Sequence, residues 1–121
     1  METRLNVRPV GIAEAGRHLA DLACYQSGEL IGAALFLVEL DTGEEVGAYA
    51  LKQCGSTGWL LAGAGALANH DATAEFLPAV EEQLRASGCK EILIRTARPG
   101  LIYKLDRAGY RLDSTILKKS L

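Results

Sequence analysis

The residues of this chain best suited to chemistry are a histidine, two adjacent glutamates and an arginine. His70 can touch a phosphate or act as a base near neutral pH, or it can be an ordinary surface-loop histidine. Glu44 and Glu45 offer a carboxylate that can take a proton from an amine. Beside Gly43 they read equally as solvated turn residues. Arg98 can hold a carboxylate or phosphate, or form a surface ion pair. His18 falls among charged residues and is assigned no role.

Other chemistries are excluded by spacing. The two histidines and three cysteines (Cys24, Cys54, Cys89) are far apart, which argues against a zinc site or a disulfide framework and leaves buried free thiols. No Ser-His-Asp arrangement and no Gly-x-x-x-x-Gly-Lys stretch is present. Gly63-Ala64-Gly65 sits inside a strand pattern and lacks the third glycine of a dinucleotide fingerprint.

Size and composition narrow the class. With 121 residues, 49% hydrophobic and 23% charged, positions 1–121 read as one domain with an ordinary globular balance. A net charge of −2 and few aromatic residues argue against nucleic-acid partners. The longest apolar stretch, Ile31 to Val38, is too short for a membrane span, and Met1-Glu2-Thr3-Arg4 does not open a signal peptide. A cytoplasmic protein without a membrane partner is expected, and the Ile31 to Leu37 run is a candidate homodimer surface.

These residues need elements to position them. Alternation over Leu5, Val7 and Val10 predicts a strand stopped near Pro9. Helical spacing predicts a helix from Ile12 to Tyr25. Ala33 to Leu40, Val46 to Gln53 and Trp59 to Leu67 read as three antiparallel strands, with turns at Asp41-Thr42-Gly43-Glu44 and Gly55-Ser56-Thr57-Gly58. The period then lengthens to 3.6 residues. An amphipathic helix is predicted over Thr73 to Ala86, with Pro78 tolerable only in a first turn or at a kink. A strand over Ile92 to Ile94, a helix from Pro99 to Ala108-Gly109 and a last strand from Tyr110 to Leu117 complete the chain.

The resulting order is β-α-β-β-β-α-β-α-β: an α/β (α+β) domain with one mixed sheet and helices on both faces. This order resembles the GCN5-related N-acetyltransferase (GNAT) fold. Local stretches strengthen the likeness: Gly43 to Tyr49 looks like the turn into the family's third strand, and Ala62-Gly63-Ala64-Gly65 sits where its fourth strand bulges and splays from the fifth. Leu105-Asp106-Arg107-Ala108-Gly109-Tyr110 resembles the family's closing helix. Thr96 to Leu101 and the short length look similar to small GNAT-like proteins of tailed phages, which implies a phage particle as the alternative location.

The resemblance implies a ligand, acetyl-CoA or another acyl-CoA, and an amine acceptor on a small molecule or protein. It places the cofactor near Gly65, Ala66, Leu67, Asn69, His70, Asp71, Thr73 and Arg98. Two departures stand out. The family's glycine-rich pyrophosphate loop corresponds to Ala68-Asn69-His70-Asp71-Ala72-Thr73-Ala74, which has neither glycine nor arginine. Asp71 there opposes a phosphate by about 1 kcal/mol or more. The family's general acid lies four residues before the helix-closing glycine, which here is Leu105; Tyr103, about 200° around the helix, is the remaining candidate. Two functions are therefore expected: an acyl-CoA-dependent N-acyltransferase, or a non-catalytic GNAT-like module used for binding or in a phage assembly.

Overall fold

In a computed structural model, which describes residues 5–65, 72–96 and 98–121, the described residues form one five-stranded sheet and four helices. The elements run β1 (Leu5–Val10), α1 (Ile12–Leu19), α2 (Ala23–Gln26), β2 (Ala34–Leu40), β3 (Glu45–Cys54), β4 (Thr57–Gly65), α3 (Ala72–Ala86), β5 (Glu91–Ile94) and α4 (Pro99–Arg107). Spatial order follows chain order, β1-β2-β3-β4-β5. The first three pairings are antiparallel, as short turns require; β4 and β5 are parallel, joined by the α3 crossover. Gly43 takes φ +90° in the β2–β3 turn, a conformation that glycine adopts without strain.

Each face of the sheet carries its own core. On one face α1 presents Ala15 and Leu19 to Leu35, Leu37, Ala48, Ala50 and Ala62. The row of alanines lets the helix lie close. On the other, Val80 and Leu84 of α3 pack against Val38, Tyr49 and Leu51. Fully burying a side chain such as Leu37 or Val38 contributes roughly 1.5–3 kcal/mol each. The expected helices on both faces are thus present.

Four expectations are corrected. The first helix is two: α1 stops at Leu19 and α2 starts at Ala23, with Leu22 N–H bonded to Leu19 O between them. The break brings Tyr25 back onto α1, where its hydroxyl would be 2.6 Å from any Cβ at Gly16. Second, β1 continues through Pro9 to Val10; it is an edge strand, where a missing N–H is tolerated. Third, of the two placements open to Pro78 the first turn is ruled out: it lies in the middle of α3, on an exposed position where water can satisfy the carbonyl that loses its donor. Fourth, the last strand does not form. Residues Tyr110 to Leu121 carry no regular element: a strand exists only against a bonded neighbour, and this segment has no strand partner among the described residues.

Within the Ile31 to Leu37 run, Leu35 and Leu37 are in the core, while Ile31, Gly32 and Ala34 are exposed.

Candidate functional site

The site is built where β4 and β5 part. Thr57, Gly58, Trp59 and Leu60 pair with Glu91, Ile92, Leu93 and Ile94, and there the pairing ends. β4 continues to Gly65, and among the described residues Ala62–Gly65 pair with β3 alone. The register of β3 against β4 slips at the same point: Leu51 faces Leu60 and Ala50 faces Ala62, so Leu61 is an extra residue. This is a β-bulge, which bends a strand and raises its local twist. It also changes which residues face each core. Leu60 packs with the α3-side cluster, whereas Leu61 and Ala62 both pack on the α1 side. The bulge falls one residue before the Ala62–Gly65 stretch singled out in the sequence.

The outcome is a fork between the last two strands of the sheet, and the β5-side edge of β4 beyond it has no strand partner among the described residues. A cavity of about 240 Å³ lies by the part of the sheet where β3, β4 and β5 are still paired, lined by Lys52, Cys54, Trp59, Leu60, Leu61 and Arg95. Arg95 is held across its rim by Glu29 at 3.0 Å. The fork opens toward the carboxyl ends of two parallel strands, the place where sheets of this kind bind ligands.

The two glycines of β4 have different surroundings. A Cβ on Gly65 would meet Phe76 Cε2 at 2.5 Å and Val46 O at 2.8 Å, so glycine there lets α3 pack onto the sheet. At Gly63 the nearest atom, Tyr49 Cβ, would be 4.0 Å away, leaving room beside the backbone.

Arg98 sits at the start of α4, just after β5. Its backbone is extended (φ −88°, ψ 113°), its N–H donates to Thr96 Oγ1 at 3.1 Å, and Pro99 follows as the first helical residue. Its side chain is exposed and has no ion pair among the described residues. A cation and a helix N-terminus there both favour an anion. Ala66, Leu67, Asn69, His70 and Asp71 lie outside the described residues, and Thr73 falls in the first turn of α3.

Tyr103 is 61% exposed on α4. Its hydroxyl oxygen accepts from Arg107 Nη1 at 2.9 Å, and the guanidinium lies 5.6 Å from the ring centroid. Leu105, the position of the family's acid, is a core residue at 7% exposure. The structure brings Tyr103 together with Arg107, one turn away on the same helix.

The glutamates separate. Glu44 is a turn residue whose carbonyl accepts from Leu40 N–H at 2.8 Å. Glu45 is tied to α1: its carboxylate meets Arg17 at 3.0 Å and His18 Nε2 at 3.1 Å. His18, given no role from the sequence, therefore has a partner 27 residues away, and no local signal could have linked them. Two tyrosines were also missed as polar anchors. Tyr49 is buried and donates to Gln83 Oε1 at 2.5 Å, with burial pushing its phenol up to about 12. Tyr110 donates to Glu81 Oε2 at 2.6 Å, and its phenol is pushed up by burial first and by Glu81 second. Among the described residues no group of His, Cys, Asp and Glu could hold a metal. Among them, too, no helix is long and apolar enough to cross a membrane.

No protein-family model and no curated protein matches the chain. Solved structures do. A GNAT family acetyltransferase from Elizabethkingia anophelis with acetyl-CoA bound aligns with a TM-score of 0.71 at 16% identity, over 91% of this chain and 78% of its own. A Bacillus subtilis acetyltransferase in complex with CoA gives 0.72 at 16% identity, over 93% and 79%. A transcriptional regulator from Bacillus halodurans gives 0.70 at 14% identity, over 98% and 100%. At these identities the likeness is one of fold, and the fold is that of the GNAT acetyltransferases.

Proposed function

We propose that this chain, which has the GNAT fold, is an acyl-CoA-dependent N-acyltransferase. The observation that carries the reading is the coincidence of the Leu61 bulge with the end of β4–β5 pairing, which leaves a slot between the last two strands and, among the described residues, an unpartnered edge on β4. Two fold neighbours were solved with acetyl-CoA or CoA. The residues around the slot suit such a ligand in part. The β5-side edge of Leu61–Gly65, without a strand partner among the described residues, can bond an amide-rich arm, Gly63 leaves room beside it, and Arg98 with the α4 N-terminus favours phosphate. Asp71 and the glycine-free stretch before α3 work against phosphate.

Acyl-CoA would supply the activated acyl group. The protein's part is to position and polarise. A peptide N–H on the free edge of β4 stabilises the charge that develops on the carbonyl oxygen as an amine attacks. Tyr103 is the remaining proton donor for the leaving thiolate, and the proton the amine sheds as the amide forms passes to water and returns through solvent to the phenolate. Because Arg107 donates to its oxygen, the hydroxyl's own proton is left for another acceptor.

Calorimetry with acetyl-CoA and with CoA tests the reading. Micromolar binding is expected, and no heat at millimolar ligand overturns it. Given binding, release of free thiol with a panel of amines measures turnover, and Tyr103→Phe should lower kcat by about 10²-fold or more with little change in KM.

A second reading, a non-catalytic GNAT-like module for binding or for a phage assembly, is favoured by Leu105. The position that carries the acid in the family is filled here by a core side chain, and one fold neighbour is described as a transcriptional regulator. Binding without turnover on any amine would select it.

A further inference from the structure

The core that α1 builds on its face of the sheet ends at Ala50 of β3 and Ala62 of β4. The next row toward the β3–β4 turn is Lys52 and Trp59, direct partners across the ladder. Side chains alternate along a strand, so Lys52 shares the face of Ala50, and Trp59 opposite it shares that face too. Trp59 pairs on its other side with Leu93 of β5, and Arg95 follows just after that strand. Trp59 therefore lies on the strand between two cations. Together with Cys54, Leu60 and Leu61 these side chains line the cavity of about 240 Å³. Its wall is a partly buried indole with aliphatic neighbours, and among the described residues that line it none is acidic.

Both cations are open to a ligand. The exposed ammonium of Lys52 has no ion pair or side-chain hydrogen bond among the described residues. Arg95 is held by Glu29 at 3.0 Å, but both side chains are about half exposed, and a surface pair of that kind is weak. A guanidinium also keeps donors for a second carboxylate. Glu91, in the row beyond, accepts from Thr57 Oγ1 at 2.7 Å and is not part of the lining. Two like charges beside one apolar wall repel each other, and an anion seated between them replaces that repulsion with attraction.

We propose that this cavity is a binding site for a small aromatic carboxylate, its ring against Trp59 and the aliphatic wall and its carboxylate facing Lys52 and Arg95. Size sets the class. Ligand pockets run to roughly 300–1,000 Å³, so a cavity of 240 Å³ takes about one ring with a short acidic arm. Contact between the rings supplies the apolar burial, and the charge selects the acid over its neutral counterpart. The site lies on the paired side of the fork and needs no acyl group, so it does not rest on the acyl-transfer reading.

Trp59 is the chain's single tryptophan, so its fluorescence reports on the site directly. Titration of the full chain, without acyl-CoA, compares benzoate and phenylacetate with benzamide, benzylamine and acetate. A saturable change is expected for the two aromatic acids, with a Kd of about 1 mM or lower. Benzamide, benzylamine and acetate should bind about tenfold more weakly or not at all. Lys52→Met keeps an apolar stem and removes the charge. It should weaken benzoate about 5- to 10-fold and leave benzamide unchanged. Absence of saturation by both acids at about 10 mM overturns the proposal. So does binding of benzamide or acetate as tight as that of benzoate, or a folded Lys52→Met with wild-type affinity for benzoate. The wild-type ligand series decides the matter even if the variant does not fold. Failure here leaves the acyl-transfer reading standing, and failure of acyl-CoA to bind leaves this site standing.

Discussion

The ring of Phe76 occupies the space that a side chain on Gly65 would need: a Cβ there would lie 2.5 Å from Phe76 Cε2. Gly47, directly across the β3–β4 ladder, is in the same position, 2.7 Å from the same atom and 2.4 Å from Ala64 O. Gly65→Ala should therefore destabilise the protein by about 1–3 kcal/mol, because ring or backbone must move. Gly63→Ala, with nothing nearer than 4.0 Å, should cost less than about 0.5 kcal/mol or be neutral. Urea unfolding of the two variants checks the contrast, and equal effects would remove the packing explanation for Gly65.

Arg98 gives a test of ligand placement. Its exposed guanidinium at the α4 N-terminus holds no ion pair among the described residues, so removing it should leave stability within about 0.5 kcal/mol. Acyl-CoA affinity should fall roughly 5- to 10-fold in Arg98→Ala, and the wild-type affinity should weaken with added salt. Calorimetry at two ionic strengths measures both. Unchanged affinity would move the phosphates away from α4.

Alkaline stability follows from the two polar-anchored tyrosines. Burial raises Tyr49 from 10 to about 12, and burial together with Glu81 raises Tyr110. Both phenols keep their protons in the folded state at pH values where the unfolded chain has lost them. Their contribution is fully present below pH 10, the unfolded value, and is lost as pH rises through the folded values. Each retained proton steepens the loss by about 1.4 kcal/mol per pH unit. Two of the four tyrosines should ionise late in an absorbance titration at high pH, and one late titration should disappear in Tyr49→Phe. Four simultaneous ionisations near pH 10 would contradict the burial assigned to both.

Pro78 costs α3 a hydrogen bond in its middle, on an exposed face. Pro78→Ala should stabilise the fold by about 1–3 kcal/mol, visible as a Tm increase of several degrees. A lower Tm would mean that the proline ring makes packing contacts worth more than the missing bond.

Most elements of this protein were legible along the chain. Apolar alternation marked β2, β3 and β4, the change to a 3.6-residue period marked α3, and glycines at 43 and 109 marked a turn and a helix end. Those signals are local, since period and turn chemistry are properties of a few consecutive residues. From them the mixed sheet and its likeness to the GNAT fold followed. The register of neighbouring strands was not legible, so the bulge could be placed near Ala62–Gly65 but not at Leu61, and the point where β4 leaves β5 emerged only from pairing. The roles of Gly65, Glu45 and Tyr110 were hidden for the same reason: Phe76, His18 and Glu81 reach them from other elements. The segment after Tyr110 makes the division sharpest. Its own residues are patterned as a strand, but whether it becomes one depends on a bonded edge, which only tertiary or quaternary structure can supply.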